Sequence, residues 1–269
     1  MCKTIGIIAI KGGVGKTTIS ASLASSLANY FDKKVLLVDA NFSAPNLGLH
    51  MDILEPEKTI HHILDKKVGT SSAIHKRFGV DVIPGDYIYN RKINYVKLKD
   101  KLQPLKNKYD FIILDSSPSQ NEELLSTLVA SDSLFAITTP DYPTLSCTLK
   151  IAKLAKQRGK PVSGIIINKV RDPDYELTLH DIEESTDLPV VARIPDDKTA
   201  IRSTFARVPL SIYKKNSTFS KEIINLSAAL AQAKIKRGFF QKLFRPRLNR
   251  QEVNRELLRG SFYESPFRR

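Results

Sequence analysis

The residues whose types and spacing best suit chemistry form one short string, Lys11-Gly12-Gly13-Val14-Gly15-Lys16-Thr17-Thr18. An apolar run, 5–10, precedes it, and a small-residue stretch of helical character, 18–28, comes after it. Strand, glycine loop and helix in that order make a cradle for phosphate. Gly12, Gly13 and Gly15 let the backbone curl tightly, so the N–H groups from Gly12 through Val14 to Thr18 can converge on one anion. The start of the helix adds its partial positive charge. Lys16 is placed to neutralise the β/γ-phosphates of a nucleotide, and Thr17 to give its hydroxyl to Mg²⁺.

A second candidate lies a hundred residues on. Phe111-Ile112-Ile113-Leu114-Asp115 is four apolar residues and then a carboxylate. A buried strand of this kind delivers one anion to the Mg²⁺ sphere, commonly through a metal-bound water. The alternative is a helix cap at a strand end, because Ser116, Ser117 and Ser119 come next. Asp39 closes another apolar run, and Asn168 comes near the end of a third.

These positions need a scaffold that brings four separate segments together. Apolar runs at 4–10, 34–39, 80–84, 111–115, 133–138, 164–170 and 190–194 read as strands, several of them apolar throughout, as in a parallel sheet covered on both faces. Stretches such as 121–130, 145–158 and 177–185 can hold helices between them. The alternation predicts an α/β fold, a doubly wound and mostly parallel sheet of about seven or eight strands. Its functional groups should gather at the carboxyl ends of the strands.

Ile10 stands where the general phosphate loop has its first glycine, and Lys11 adds a second lysine at the loop entrance. The string Lys-Gly-Gly-x-Gly-Lys-Thr-Thr resembles the deviant Walker A loop of the MinD/ParA ATPases. The resemblance spans roughly 3–211 through dispersed motifs. It implies a P-loop ATPase that binds ATP with Mg²⁺ and closes into a homodimer, with Lys11 reaching the nucleotide of the other subunit as an arginine finger does elsewhere. It also implies that Asp39 lies close to the Mg²⁺ shell, so that Thr17, Asp39 and Asp115 form the metal set. The family usually has Asp-x-Asp here, and this chain has Asn41 at the second position. An amide can orient a water but cannot take its proton. Lys11, Lys16, Asp39 and Asn41 are therefore the expected catalytic group, with slow hydrolysis that an activating protein partner stimulates. The segment from Ser116 resembles the second nucleotide-sensing loop, without its usual second proline and glycine. For the base, the resemblance points to Asn168 and to the turn Pro195-Asp196; an Asn side chain can both donate to and accept from adenine.

The net charge of +14 is uneven: residues 233–269 carry 11 Lys/Arg against three Glu, a net +8. This divides the chain into an ATPase domain, 1–232, and a basic amphipathic tail, 233–269. On a helical wheel Ile235, Phe239, Phe240, Leu243 and Phe244 cover about half the circumference; Lys234, Arg237, Gln241, Lys242 and Arg245 lie at or beyond its edges, and Lys236 falls inside the apolar arc, where it would have to snorkel. Aromatic residues opposite Lys and Arg describe a helix lying in an anionic membrane interface. The stretch also resembles the membrane-targeting helix of MinD proteins. The alternatives are a terminal helix packed on its own domain and a partner-helix target. Residues 251–269 could extend the anchor, be disordered or dock a partner. DNA phosphates are the other anionic candidate, as in a ParA-like partition ATPase, but five bulky apolar residues add little to phosphate binding. A nucleotide-binding scaffold that does not hydrolyse is a further alternative, made plausible by Asn41.

Two cysteines, Cys2 and Cys147, are too few for a disulfide framework or a ligated iron–sulfur cluster, which sets aside the reductases that share the loop. No apolar run approaches the length that spans a bilayer. Met1-Cys2-Lys3 runs straight into a strand and leaves no room for a secretory leader. The expected location is the cytoplasm and the inner face of the cell membrane. His61-His62 resembles a metal pair, but neighbours on a helix do not face each other, so both read as ordinary surface or helix residues.

Overall fold

The computed structural model describes residues 2–91, 93–172, 174–234 and 248–263. Eight strands form one sheet: β1 (Lys3–Ile8), β2 (Val35–Ala40), β3 (His75–Arg77), β4 (Val80–Ile83), β5 (Phe111–Ser116), β6 (Ser133–Thr138), β7 (Val162–Val170) and β8 (Val190–Pro195). Their spatial order is β3-β4-β2-β5-β1-β6-β7-β8. Every pairing is parallel except β3 with β4. The helices are α1 (Lys16–Phe31), α2 (Leu47–His50), α3 (Ile60–Leu64), α4 (Leu98–Leu102), α5 (Glu122–Ala130), α6 (Tyr142–Gln157), α7 (Leu179–Thr186), α8 (Thr199–Phe205), α9 (Leu210–Tyr213), α10 (Thr218–Leu230) and α11 (Arg250–Ser261).

The central strands are buried on both faces, which explains their unbroken apolar runs. Successive side chains alternate between two cores. Ile5, Ile7, Leu37 and Ile113 pack with Leu23 and Leu27 of α1 and with Leu226 of α10. Leu36, Val38, Ile112 and Leu114 pack on the opposite face with Ile60 and Ile63 of α3 and Leu98 of α4. Gly6 is needed where α5 crosses β1: a Cβ there would come within 2.5 Å of Ser131 Oγ.

The sheet has eight strands, within the expected seven or eight, and seven of them match the apolar runs. The extra one, β3, is a three-residue antiparallel edge strand, His-Lys-Arg, with no apolar run to reveal it. Strand β1 stops at Ile8 rather than at position 10, because Ala9 and Ile10 already lead into the glycine loop. Helix α6 starts three residues earlier than expected, at Tyr142, where the Asp141 side chain caps it and Pro143 suits the first turn.

Residues 235–247 lie outside the described residues, and with them the membrane candidates Ile235, Phe239, Phe240, Leu243 and Phe244. The chain from 248 to 263 is not a free tail. Helix α11 docks on the domain through Leu258 and the adjoining Phe262, whose ring lies 6.4 Å from that of Phe135. Asn254 Nδ2 donates to the backbone oxygen of Val190 (2.8 Å), and Glu183 Oε1 accepts from the Val190 N–H (2.9 Å). Side chains thereby satisfy both backbone groups at the start of edge strand β8. Arg250 binds Glu183, and Arg255 binds Glu222 at 2.8 Å. Up to Tyr263 this segment is a helix packed on the domain.

Candidate nucleotide and metal site

The loop 9–15 leaves β1 and enters α1 with Gly13 (φ 75°) and Gly15 (φ 96°) in the left-handed region. Gly15 caps α1 without a side-chain hydrogen bond, and the first turn contains no acidic residue. The N–H groups of that turn are therefore free for an anion, and no acidic residue of the turn itself competes for the positive end of the helix. A side chain at Gly15 is excluded twice over: its Cβ would also lie 2.4 Å from Asn168 Nδ2.

Lys16 is only 7% exposed although it carries a charge. Burial lowers its pKa, and Asp115 opposes that shift. Asp115 is 1% exposed; Ser20 Oγ donates to its Oδ1 at 2.9 Å, and its Oδ2 has no hydrogen-bond partner among the described residues. It caps no helix: Asn121 caps α5. The parallel register places Asp39 beside Asp115. Burial and the neighbouring carboxylate push the Asp39 carboxyl up to about 8, although the N–H groups of Asn41, Asn46 and Leu47 donate to it. Burial raises Asp115 as well. Two buried carboxylates side by side, one with an oxygen unpartnered, suit a bound cation. Among the described residues no three His, Cys, Asp or Glu side chains form a metal cluster. Two carboxylates and a hydroxyl fit Mg²⁺, which keeps waters and shares its sphere with nucleotide phosphates. The residues present thus fit Mg²⁺ with a nucleotide.

Thr17 Oγ1 donates to Asn46 Oδ1 at 3.0 Å, which leaves the oxygen lone pairs available. Asn41 is buried, and its Nδ2 donates to the backbone oxygen of Ala44. Lys11 reaches Thr144 Oγ1 (3.0 Å) and Asp141 Oδ1 (3.6 Å) at the start of α6 of its own molecule. Asn168 Nδ2 donates to the Val14 carbonyl oxygen (2.8 Å), and Lys169 Nζ to that of Gly13 (2.7 Å). Asp196 accepts from Arg171 Nε at 2.7 Å, and its N–H donates to Val170 O. Lys16, Thr17, Asp39, Asp115, Asn168 and the glycine loop therefore share one end of the sheet. Lys11 and Asp196 are engaged with neighbours at its margin.

Sequence reasoning passed over Ser20, Asn46 and the Asp141–Thr144 pair. Ser20 stands three residues after Thr17, so helical spacing could have identified it. Asn46 and Asp141 sit in loops with no comparable signal. His61 lies in helix α3, as one of the two readings had it, and is buried there. Asp86 N–H donates to its Nδ1 (3.0 Å), so Nε2 carries the proton and donates to Phe42 O (2.9 Å).

A family model described as an AAA domain matches residues 2–158, and a second AAA-domain model matches 127–204. An uncharacterized ATP-binding protein of Methanocaldococcus jannaschii is 32% identical over 237 residues, 87% of this chain and 89% of its own length. The septum site-determining protein MinD of Synechocystis is 26% identical over 276 residues, covering 97% of this chain and all of that protein. The MinD of Pyrococcus horikoshii complexed with Mg-ADP superposes with a TM-score of 0.80 at 28% identity, over 86% of this chain and 95% of that one.

Proposed function

Because this chain belongs to the MinD/ParA family of P-loop ATPases, we propose that it hydrolyses ATP slowly, dimerises on ATP and so switches its hold on an anionic membrane surface. The observation that carries the nucleotide part is the meeting of an uncapped helix start with Lys16, Thr17, Asp39 and Asp115. The 12–18 backbone would bind the phosphates, and Lys16, already desolvated, would neutralise them at full strength. Thr17, Asp39 and Asp115 would hold Mg²⁺, which supplies charge neutralisation at the β/γ-oxygens when bound. Asn41 would orient the attacking water without removing its proton. Lys11 would leave Asp141 to serve the partner subunit. Asn168, Pro195 and Asp196 would line the base.

The membrane part is supported by the composition of 235–245, with aromatic residues on one side of a wheel and Arg237, Lys242 and Arg245 at or beyond its edges. Single amphipathic anchors bind marginally, and two on one dimer gain by effective concentration. Hydrolysis would then release both, positioning division or other cell-surface machinery. No described helix is long and apolar enough to cross a membrane.

Co-sedimentation with anionic liposomes, with and without ATP and Mg²⁺, tests the reading. Binding that needs ATP and disappears when Phe239, Phe240 and Phe244 are replaced by Ser supports it. Equal pelleting of duplex DNA by both proteins would instead support the partition-type alternative, since phosphate contacts do not need the phenylalanines.

A further inference from the structure

The site uses two carboxylates, yet a third lies buried beside it. Glu123, in the first turn of α5, is 2% exposed. Its Oε1 accepts from Ser43 Oγ, and its Oε2 has no hydrogen-bond partner among the described residues. Ser43 belongs to the segment just past Asp39; Glu123 ends the segment just past Asp115. Their hydrogen bond is a direct link between the chain beyond one proposed metal carboxylate and the chain beyond the other.

The other supports of the 41–47 segment attach it elsewhere. Phe42 stacks on Tyr95 at 5.1 Å, and its carbonyl oxygen takes the His61 hydrogen bond. Asn46 meets Thr17 of α1. Asn41 closes a turn onto Ala44, which fixes Ser43 between them. Ser43 thus sits at the tip of the turn that carries Asn41, and Glu123 is what that tip touches.

We propose that Glu123 is a positioning residue which, through Ser43, pins the 41–47 segment to the 117–123 segment, so that both respond to nucleotide as one unit, a role that rests on the nucleotide reading of the site. Movement of either segment when the carboxylates gain a cation would be passed to the other, and the placement of Asn41 would follow the state of the Asp115 loop. Ser43 itself is exposed and only its acceptor is buried, and the acceptor makes the link count: a desolvated carboxylate is costly to leave without a donor.

Amide hydrogen–deuterium exchange on the full chain tests this, without nucleotide and with Mg-ADP. The variants are Ser43→Ala, Glu123→Gln, whose amide oxygen can still accept from Ser43, and Glu123→Leu, which cannot. Without nucleotide, exchange in 41–47 should rise roughly five- to tenfold in Ser43→Ala and stay near wild type in Glu123→Gln. With Mg-ADP, 41–47 and 117–123 should change protection together in wild type and Glu123→Gln, and separately in Ser43→Ala. Should Glu123→Leu fail to fold, Ser43→Ala alone decides. Exchange in Ser43→Ala within twofold of wild type overturns the pin, as does loss of coordination in Glu123→Gln. Absence of Mg-ADP protection in 11–18 of wild type would instead overturn the nucleotide reading, while the nucleotide-free arm still reports the pin.

Discussion

Asp39 and Asp115 are register partners on adjacent parallel strands, two carboxylates side by side at the buried carboxyl ends of β2 and β5. Such a pair destabilises the protein unless a cation joins it. Replacing Asp115 by Asn removes the carboxyl that helps hold Asp39 up and keeps an acceptor for Ser20. The nucleotide-free variant should be more stable by about 1 kcal/mol, a rise in Tm of about 2–4 °C. It should also lose most of the Tm gain that Mg-ADP gives the wild type. Calorimetry of both proteins with and without Mg-ADP checks this; a destabilised nucleotide-free variant contradicts it.

Lys11 makes its contacts within its own molecule, to Asp141 and Thr144, with both charged side chains close to half exposed. An ion pair of that exposure contributes little and breaks readily. Lys11→Ala should therefore change stability by less than about 1 kcal/mol and leave ADP affinity near wild type. ATP-dependent dimerisation, read by light scattering, should be lost. A variant that still dimerises with ATP removes the role of Lys11 across the interface.

The phosphate loop, Asp115 and the parallel sheet were legible because each leaves a local trace: glycines at fixed spacing, a carboxylate after four apolar residues, runs apolar on both faces. Contacts made between loops were not. Asn46 lies seven residues past Asp39 and joins the site only because Asp39 draws the loop back through the N–H groups of Asn46 and Leu47. His61 read as a surface or helix residue in a polar pair, and only its hydrogen bonds to the Phe42 carbonyl oxygen and the Asp86 N–H show that its place in the helix is interior. Helix α11 has a sequence of strongly polar character, and its docking side chains include the polar Asn254 and Arg255.

Asn41 sends its Nδ2 to the Ala44 carbonyl oxygen. Asn41→Asp would set a carboxylate against that oxygen and open the turn, at a cost of about 1 kcal/mol. It would also supply a group able to take a proton from water. Single-turnover hydrolysis should become faster in the variant while its Tm falls. A slower variant counts against Asn41 as the residue that limits turnover.

His61 is held neutral by burial, which lowers its pKa from the ordinary 6.5, with Asp86, His62 and Glu123 as the nearby titratable groups. Protonation would place a hydrogen on Nδ1 facing the Asp86 N–H. The unfolded chain takes up the proton below pH 6.5 and the folded one does so only at lower pH. The stabilising difference is therefore complete above pH 6.5 and is lost as pH falls below it, at up to about 1.4 kcal/mol per pH unit. His50, also lowered by burial, acts in the same direction. Asp39, raised to about 8, gains stability as pH falls and opposes the histidines, so thermal melts from about pH 7.5 to about 5.5 should differ in slope, with Tm in His61→Gln moving upward relative to wild type as pH falls. An unchanged slope removes His61 from the pH dependence.

Phe262 fills the core beside Phe135 at 5% exposure, and Lys3 lies 5.6 Å from its ring centre. Phe262→Ala should cost about 3 kcal/mol, within the range for a buried aromatic truncated to alanine. Removing everything after Lys234 should cost more, because it also strips Asn254 from Val190 O and leaves Glu183 and Glu222 without their arginines. Membrane binding has to be judged against that loss. A truncated chain that no longer pelleted with liposomes could have lost its fold rather than its anchor, and denaturant melts distinguish the two. If the truncated chain melts like wild type, α11 is no part of the stable domain. If it melts earlier, the phenylalanine substitutions between 239 and 244 in the full chain are the informative comparison, because they keep α11 in the chain.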